Sequence, residues 1–402
     1  MNTRPVLIAG AGIAGLTAAN ALARRGVSVI LAERKPGFAE AGAGLQLSPN
    51  ATGTLMRLGL GGDVGRYAMA PRRLDLRRWA EPRAYAGMAM QDMAEADGAP
   101  FWSMRRADLQ TALLDALRML PGVRLLVGRG VVGAVQHADG VVATLENERG
   151  QREDIDAAVL IGADGLWSTV RPLTGDKGKP RFLGYEAWRT MLPAAAVPVF
   201  ARAPSVNLWF GPSGHAVHYP VDGGKLVNLV VIRNGQDTSE GWSRAGDPAQ
   251  LEPLAATAAD TLRDMIRAAP GWQVWSLFDR APAAMVSGRI VLIGDAAHPV
   301  LPFLAQGASL AVEDAGVVAG LLAPALAMPD NRAVIDAALK HFARARQRRV
   351  ARVQDAARSN ARIYHAGFPI ALARDVMLRR LGDDGMRKRY AWLYGWRMPT
   401  DA

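Results

Sequence analysis

Three short glycine-containing runs, far apart along the chain, most constrain what it can fold into. They are Gly10–Gly15 (GAGIAG), Gly162–Gly165 (GADG) and Gly294–Pro299 (GDAAHP). The first pattern by itself is a weak signal, because GxGxxG occurs in many dinucleotide-binding folds and arises by chance in Gly/Ala-rich sequence. The three runs in this order are therefore far more specific than any one of them.

The first run lies inside a strand–helix–strand pattern. Pro5–Ala9 and Val27–Ala32 are apolar runs typical of buried parallel strands, and Ile13–Arg25 predicts an Ala-rich helix between them. Glu33 follows the second strand, where a carboxylate can accept hydrogen bonds from both hydroxyls of a ribose and would repel a 2′-phosphate. The pattern is a βαβ unit that predicts a dinucleotide site.

Each glycine of the first run has its own expected task. Gly10 permits a tight turn, Gly12 lets the backbone approach a pyrophosphate, and Gly15 allows the helix to pack closely on the strand. The N-terminus of the helix then presents N–H groups to the phosphates.

The composition limits the other classes of function. The 402 residues are enough for two domains or one large discontinuous domain. The absence of Cys excludes disulfides, thiolate metal sites and a cysteine nucleophile, and the six scattered His residues show no metal-ligand spacing. The net charge of +11 is explained first by an Arg-rich solvated surface, and the alternative is a positive field that attracts anionic ligands. Nucleic acid fits poorly because the basic residues are dispersed and no reader motif accompanies them.

Two apolar stretches resemble targeting or membrane segments. Residues 5–23 follow Arg4 as in a signal peptide, but they contain the glycine run, with Glu33 at the expected distance. Residues 315–328 are too few to span a bilayer and Pro324 interrupts them, so they predict a buried helix. The chain is therefore expected to be cytoplasmic and to have no membrane span.

The rest of the chain predicts further strands and helices. Two apolar strands, Asp156–Ile161 and Ile290–Ile293, lead into the second and third runs, and Ser168 and Arg171 are predicted on the helix that follows the second. Residues 131–135 and 141–146 predict a hairpin. Alternating segments predict an antiparallel sheet with one face wet or lining a cavity. These segments are Tyr185–Met191, Val206–Gly211, His215–Val221 and Leu226–Arg233.

Taken together, the three runs resemble those of the single-component FAD-dependent monooxygenases, the aromatic hydroxylases. The resemblance spans essentially the whole chain, including Trp392–Trp396 near its C-terminus. It implies an α/β fold, with a Rossmann-like FAD-binding domain, an antiparallel-sheet substrate domain and C-terminal helices, as in para-hydroxybenzoate hydroxylase. The expected boundaries are 1–72, 101–178 and 276–345 for the FAD-binding domain, 73–100 and 179–275 for the substrate domain, and 346–402 for the C-terminal helical region.

The resemblance also implies the cofactors and their contacts. FAD is expected to be non-covalent, to be reduced by NADH or NADPH, and to react with O₂ to form a C4a-hydroperoxide that hydroxylates an electron-rich ring. Arg106 takes the position of a family Arg that reaches the FAD, a solvent-facing arginine being the alternative. Asp295 resembles the Asp that holds the ribityl chain, and the helix beginning near Gly307 would favour an anionic reduced flavin. The expected cofactor residues are Gly10, Gly12, Ala14, Gly15, Glu33, Arg34, Gln46, Arg106, Asp164, Asp295, Gly307 and Ala308.

The expected catalytic residues are His215, Tyr219 and Gln306. His215 and Tyr219 lie four apart in a predicted strand, so they share a face that His218 does not. A His or Tyr there can assist deprotonation of a phenol, although both could simply pack in the sheet. The resemblance at these places is to 3-hydroxybenzoate 6-hydroxylase and 6-hydroxynicotinate 3-monooxygenase. Gln306 falls near the flavin ring and could bond a substrate hydroxyl.

Several alternatives stay open. Salicylate hydroxylases, which the chain also resembles, have a His where Phe303 stands, so plain hydroxylation of a small phenolic or N-heteroaromatic acid ranks narrowly above decarboxylative hydroxylation. The substrate could instead be a larger ring or an alkene. The chain could also be a FAD-binding relative that does not carry out monooxygenation. The chain is expected to be a monomer or a homodimer with a small aromatic substrate, O₂ and NAD(P)H as its partners.

Overall fold

Two large sheets organise the fold in the computed structural model, which describes residues 4–38, 43–212, 214–236, 243–328 and 332–399. The strands of the described residues are β1 (Val6–Ala9), β2 (Val29–Glu33), β3 (Gly44–Leu47), β4 (Arg73–Arg78), β5 (Ala84–Ala89), β6 (Trp102–Arg105), β7 (Val123–Val127), β8 (Gly130–His137), β9 (Gly140–Glu146), β10 (Arg152–Ala157), β11 (Val159–Gly162), β12 (Arg181–Pro193), β13 (Ser205–Gly211), β14 (Gly214–Val221), β15 (Leu226–Asn234), β16 (Arg244–Gly246), β17 (Trp272–Asp279), β18 (Val286–Ser287) and β19 (Ile290–Leu292). The helices are α1 (Ile13–Ala23), α2 (Pro49–Arg57), α3 (Gly61–Gly65), α4 (Met90–Asp97), α5 (Arg106–Arg118), α6 (Glu252–Ala255), α7 (Asp260–Arg267), α8 (Gly307–Ala327), α9 (Arg332–Tyr364) and α10 (Ile370–Tyr394).

A six-stranded sheet brings the three glycine runs together. Its order is β18-β19-β11-β1-β2-β7, and all pairs are parallel except β18 with β19. β1, β11 and β19 are adjacent, and the three runs begin at or just beyond their carboxyl ends. Since carboxyl ends of parallel strands share one edge of a sheet, the runs meet there, where ligands of open α/β sheets bind.

An eight-stranded sheet forms the second layer. Its order is β16-β17-β12-β15-β14-β13-β4-β5, antiparallel throughout except for the parallel pair of β13 with β4. Residues 73–89 therefore join a sheet whose other strands lie between 181 and 279. The predicted mixed α/β architecture is confirmed.

Three local predictions need correction. The apolar run Asp156–Ile161 is two strands, because β10 belongs to a separate three-stranded sheet with β9 and β8 while β11 enters the six-stranded sheet. Ser168 is not helical, and Arg171–Thr174 forms only a single 3₁₀ turn. Pro324 lies inside the last turns of α8 and does not interrupt it.

α8 has 21 residues and is long and apolar enough to cross a membrane by length and composition. The sequence had suggested a shorter apolar segment. In the fold it is a core helix, with 83% of its most apolar window buried. Its neighbours include α1, α2 and α9.

The C-terminal segment folds back onto this core. Trp392 and Trp396 stack on arginines of α9, with Arg349 5.7 Å from both rings and Arg346 5.0 Å from Trp396. Met398 is 7% exposed and packs in the same cluster as β1 and α8. Its carbonyl accepts a hydrogen bond from Arg57.

Candidate active site

The first glycine run packs against the second. Gly10 has φ +100°, a conformation that favours glycine, and a Cβ there would lie 2.6 Å from the Ala163 carbonyl oxygen. A Cβ at Gly15 would lie 1.9 Å from the Gly10 carbonyl oxygen. Side chains at these two positions would separate α1 from the strands, so the glycines fix the shape of the loop.

The third run is held by buried polar groups. Arg171, 1% exposed, donates hydrogen bonds to the carbonyls of Ala296 (3.3 Å) and Ala297 (3.2 Å). The Gly294 N–H donates to Asp314 Oδ2 (2.9 Å), and His298 Nε2 lies 2.5 Å from the same oxygen. These bonds fix the loop that presents Asp295.

Asp295 points into the groove between the runs. Its side chain is exposed although protein surrounds it, as expected for a group at the floor of a concave site. This enclosure raises the pKa of the Asp295 carboxyl, and the positive charge of Arg106 opposes the rise. Asp295 Oδ1 lies 4.0 Å from where a Cβ on Gly307 would stand, so it borders the N-terminus of α8. The groove therefore brings together Asp295, Arg106 and the first residues of α8.

Glu33 closes the other end of the groove. The N–H groups of Ala11 (2.8 Å) and Lys35 (2.9 Å) donate to its two carboxylate oxygens. A carboxylate offers about four acceptor positions, so both oxygens can accept a further hydroxyl.

The groove fits FAD. A Cβ added to Gly12 would meet nothing within 4 Å, so this glycine leaves open space at the N-terminus of α1. N–H groups at that terminus suit a pyrophosphate, Glu33 suits a ribose, and Asp295 with the N-terminus of α8 suits the ribityl chain and the flavin.

A buried ionic cluster supports the N-terminal half of α8. Glu313 and Asp314 are fully buried, and Arg346 of α9 forms an ion pair with each at 2.7 Å. Arg349 adds a second bond to Glu313 at 2.9 Å. Burial alone would raise the pKa of Asp314, but His298 and Arg346 hold it below its usual value. Since these charges are mutually paired, α8, α9 and the third run are held as one unit.

One face of the eight-stranded sheet carries the polar residues expected near a substrate. His215 (2% exposed) and Tyr219 (3% exposed) share that face of β14. Burial raises the pKa of Tyr219, while Arg189 and a hydrogen bond with Gln46 of β3 oppose the rise. His218 lies on the opposite face against Phe200 and Trp209, and burial and Arg77 lower its pKa to about 3.

His215 is paired with a second histidine. Its Nδ1 lies 2.8 Å from Nε2 of His365, which follows α9. Burial and His365 hold the pKa of His215 well below its usual value, and burial lowers that of His365 to about 4. Phe303 packs on both rings, with centroids 5.3 and 5.8 Å away. Both histidines are therefore neutral near pH 7 and share one proton between these nitrogens.

Arg189 of β12 lies on the same face two strands away. It pairs with Val230, which pairs with Val217, the residue midway between His215 and Tyr219. Its guanidinium carbon is 5.0 Å from the Trp275 ring centroid. Within the described part of the chain it makes no hydrogen bond or ion pair, and its Nε is buried. Tyr219 and Arg106 lie within electrostatic range.

The family is decided by a match over most of the chain. Residues 3–357 match the model of a FAD binding domain. The chain belongs to this FAD-binding family.

A 3-amino-4-hydroxybenzoate 2-monooxygenase of Streptomyces platensis is 36% identical over 97% of this chain and 95% of that protein. A 3-hydroxybenzoate 6-hydroxylase of Aquipseudomonas alcaligenes is 36% identical over 97% of each. A salicylate hydroxylase solved with its substrate is 25% identical, with TM-score 0.81 over 99% of this chain and 97% of that one. The chain is a FAD-dependent aromatic monooxygenase.

Several expected cofactor residues have structural partners in this flavoprotein. Asp164 accepts hydrogen bonds from Ser168 Oγ (2.6 Å) and from the Thr169 N–H (2.7 Å), so its side chain folds its own loop. Ala14 packs against Gly294, and Arg34 is exposed and lies over Gly130. Their contributions to cofactor binding stay predictions.

Gln306 is turned away from the groove. It is 1% exposed, its Nε2 donates to Ser48 Oγ (2.9 Å), and its Oε1 accepts from Asn50 Nδ2 (3.1 Å). A bond from this amide to a substrate would require it to leave both partners. In this arrangement Gln306 fixes the N-terminus of α8, whose first residues are Gly307 and Ala308.

Three features were missed from the sequence: Arg189, His365 and the ionic cluster. The sequence carried a signal only for the cluster. Glu313 and Asp314 are adjacent acids at the start of an otherwise apolar stretch, and buried acids require cationic partners. Arg189 and His365 stand in segments whose patterns are ordinary.

Proposed function

We propose that this monooxygenase hydroxylates a small phenolic carboxylic acid of the hydroxybenzoate type. The observation that carries the proposal is the polar face formed by His215, Tyr219 and Arg189, which faces the groove lined by Asp295 and Arg106. One end of this face can exchange a proton with a phenol, and the other presents a cation. The relatives named above act on hydroxybenzoates by their names.

Bound FAD supplies the activation of O₂, with electrons from NADH or NADPH. One oxygen atom enters the ring in place of a hydrogen, and the other leaves as water. The protein residues proposed to hold FAD are Gly12, Glu33, Arg106, Asp295 and the first turn of α8. Their task is to bind and orient the cofactor and to exclude water from the reacting ring.

His215 is proposed to accept the proton of the substrate hydroxyl on Nε2. That nitrogen can accept only if the shared proton sits on Nδ1, which then donates to His365 Nε2. His365 is therefore a positioning residue that selects the tautomer of His215. Its pKa of about 4 keeps its nitrogen available as an acceptor at neutral pH. Tyr219 stays protonated and can donate or accept a hydrogen bond at the same ring.

The proposed division into domains follows the hydrophobic cores. One cluster draws on residues 6–64, 102–170 and 283–342 together with Met398, and a second is made largely of residues 188–274 with Trp79. These clusters support 1–72, 101–178 and 276–345 as the cofactor domain and 73–100 and 179–275 as the substrate domain. Residues 346–402 are proposed as the C-terminal helical region.

The test is a panel of 2-, 3- and 4-hydroxybenzoate, 3-amino-4-hydroxybenzoate and hydroxypyridine carboxylates. Consumption of NADH and NADPH, hydrogen peroxide and product mass are measured together with purified holoenzyme. A product heavier by one oxygen atom supports the proposal. A product that has also lost CO₂ would favour the decarboxylating alternative. NAD(P)H oxidation that yields only peroxide with every acid contradicts it.

A further inference from the structure

We propose that Arg189 is the anchor for the carboxylate of the aromatic substrate. This inference rests on the proposed function and adds a residue that determines its specificity. It starts from a half-buried cation with a fully buried Nε, whose neighbours in the described residues supply no anion.

The environment of Arg189 differs from that of two fully buried arginines, Arg171 and Arg346. Arg171 bonds to Asp176 and Arg346 bonds to Glu313 and Asp314. Arg189 instead has a Trp275 ring on one side and Arg106 as a like charge in range. Enclosing a cation without an anion is costly, and a nearby like charge adds to that cost. A bound anion removes both costs, so the position is arranged for an anionic ligand.

The position of Arg189 in the sheet indicates that the anion it binds is the carboxylate of the substrate. Arg189 is two strands from His215 and Tyr219 on one face, a separation of roughly 10 Å between backbones at about 4.8 Å per strand. Arg189 stacks over Trp275 of β17, on the side of β12 away from β14, and Tyr219 of β14 lies within its electrostatic range. A phenolic acid lying across the sheet therefore presents its hydroxyl to His215 and its carboxylate to Arg189, whose planar fork suits a bidentate carboxylate.

The orientation also selects among isomers. With the hydroxyl end fixed at His215 and the carboxylate at Arg189, the distance between these two groups on the ring determines which carbon faces the flavin. Acids whose two groups are adjacent on the ring span less of this distance than those with the groups apart. We therefore expect 3- and 4-hydroxybenzoates to bind better than 2-hydroxybenzoate.

The experiment compares the best-binding acid of the panel with its neutral amide, for example 3-hydroxybenzoate with 3-hydroxybenzamide. Dissociation constants are measured by the change in flavin absorbance of the holoenzyme. Arg189→Gln should weaken binding of the acid by about 10- to 100-fold and change binding of the amide little. Arg189→Lys keeps the charge without the fork, so it should lie between wild type and Arg189→Gln.

Arg233→Met is a matched control. Arg233 also lies in this sheet and stacks on a tryptophan, Trp188, at 5.1 Å, but it is on the opposite face and paired with Glu186. It should leave the ratio of acid to amide affinity unchanged. Flavin content and thermal midpoint are recorded for each variant. If Arg189→Gln does not fold, the ratio of acid to amide affinity is measured with Arg189→Lys instead.

The outcomes separate the two proposals. If the acid is hydroxylated but Arg189→Gln weakens acid and amide equally, the anchor is overturned while the proposed function stands. If the variants leave the acid unaffected and raise only the KM for NADPH, Arg189 serves the nicotinamide cofactor and the anchor is overturned. If no aromatic carboxylate in the panel binds wild type, both proposals fail.

Discussion

The cofactor side and the substrate side of this monooxygenase are built in opposite ways. On the cofactor side, buried charges are paired: Arg171 with Asp176, and Arg346 with Glu313 and Asp314. On the substrate side, Arg189 has no ionic partner in the described residues, and the low pKa values of His215 and His365 keep both rings neutral. The cofactor side is thus complete as a scaffold, whereas the substrate side is left to be completed by a ligand. Changes to the buried ion pairs of the cofactor side should therefore affect folding, whereas changes to residues that face a ligand on either side should affect binding or chemistry.

The largest effect is expected from the substrate side. His215→Ala or Tyr219→Phe should lower the rate of hydroxylation, by about 10²- to 10⁴-fold for the histidine, while NAD(P)H oxidation continues. The reason is that flavin reduction needs no deprotonated phenol but oxygen transfer does. The measurement is the ratio of hydrogen peroxide to product.

His218→Leu is the control for this prediction, since His218 lies on the same strand and the opposite face. It should leave that ratio near the wild-type value. Uncoupling by His218→Leu without uncoupling by His215→Ala would show that the two faces of β14 are assigned the wrong way round.

On the cofactor side, Arg346→Met should lower the free energy of unfolding by about 3–5 kcal/mol, because Glu313 and Asp314 lose a partner while fully buried. Denaturant unfolding of the FAD-free protein measures it. Arg358→Met removes a partly exposed pair with Asp279 and should cost about 1 kcal/mol or less. Equal losses from the two variants would contradict the picture of a scaffold held by the buried cluster.

The buried imidazole of His218 should make the free energy of unfolding depend on pH. Its pKa is about 3 in the fold and about 6.5 when unfolded, so the unfolded chain binds the extra proton between these values. Stability is then full above pH 6.5 and falls as pH drops towards 3, by about 2–3 kcal/mol at pH 4.5 from this residue. His218→Leu should reduce the loss between pH 7 and 4.5 by that amount. His341→Gln, on the surface, should not, and a parallel loss in both variants would rule out the effect.

Asp295→Ala should weaken FAD binding by about 10- to 100-fold, because a ribityl hydroxyl loses a charged acceptor. The side chain is exposed in the groove, so unfolding of the FAD-free protein should hardly change. Flavin titration and denaturation together check this. Unchanged FAD affinity would remove Asp295 from the site.

The smallest effect is expected at Glu33. Glu33→Ala should weaken FAD binding by roughly tenfold, since an accessible ribose regains hydrogen bonds to water. The same change removes the acceptor for the Ala11 N–H, so part of the loss reflects the shape of the loop. Fluorescence quenching of FAD on titration measures it, and a neutral result would reduce Glu33 to a partner of the backbone.

The same contrast explains what the sequence could predict. The fold and the meeting of the glycine runs depend on backbone conformations that only certain residues adopt, such as φ +100° at Gly10, so short motifs predict them. The face shared by His215 and Tyr219 follows from strand alternation and was also predictable. The roles of these two residues stay predictions.

Other residues could not be assigned from the sequence because their partners are distant along the chain. His365 meets His215 across 150 positions, and Arg346 meets Asp314 across 32. α9 carries many arginines, and nothing local distinguishes the buried Arg346 from an exposed neighbour such as Arg348. Arg189 differs from Arg171 and Arg346 because it has no anionic partner among the described residues. That difference becomes visible only when the residues packed around it are known. The side chain of Asp164 bonds within its own loop and that of Gln306 bonds Ser48, and the roles of both residues towards ligands stay predictions.

The return of Met398 to the core has a consequence for how the protein is made. The cluster that surrounds β1 includes side chains from Val6 to Met398, so its last member is added only after nearly the whole chain has been translated. At about 5–20 residues per second, the first βα unit waits on the order of 20 to 80 seconds for it. Throughout that time this glycine- and alanine-rich apolar unit lacks part of the cover that it has in the finished fold.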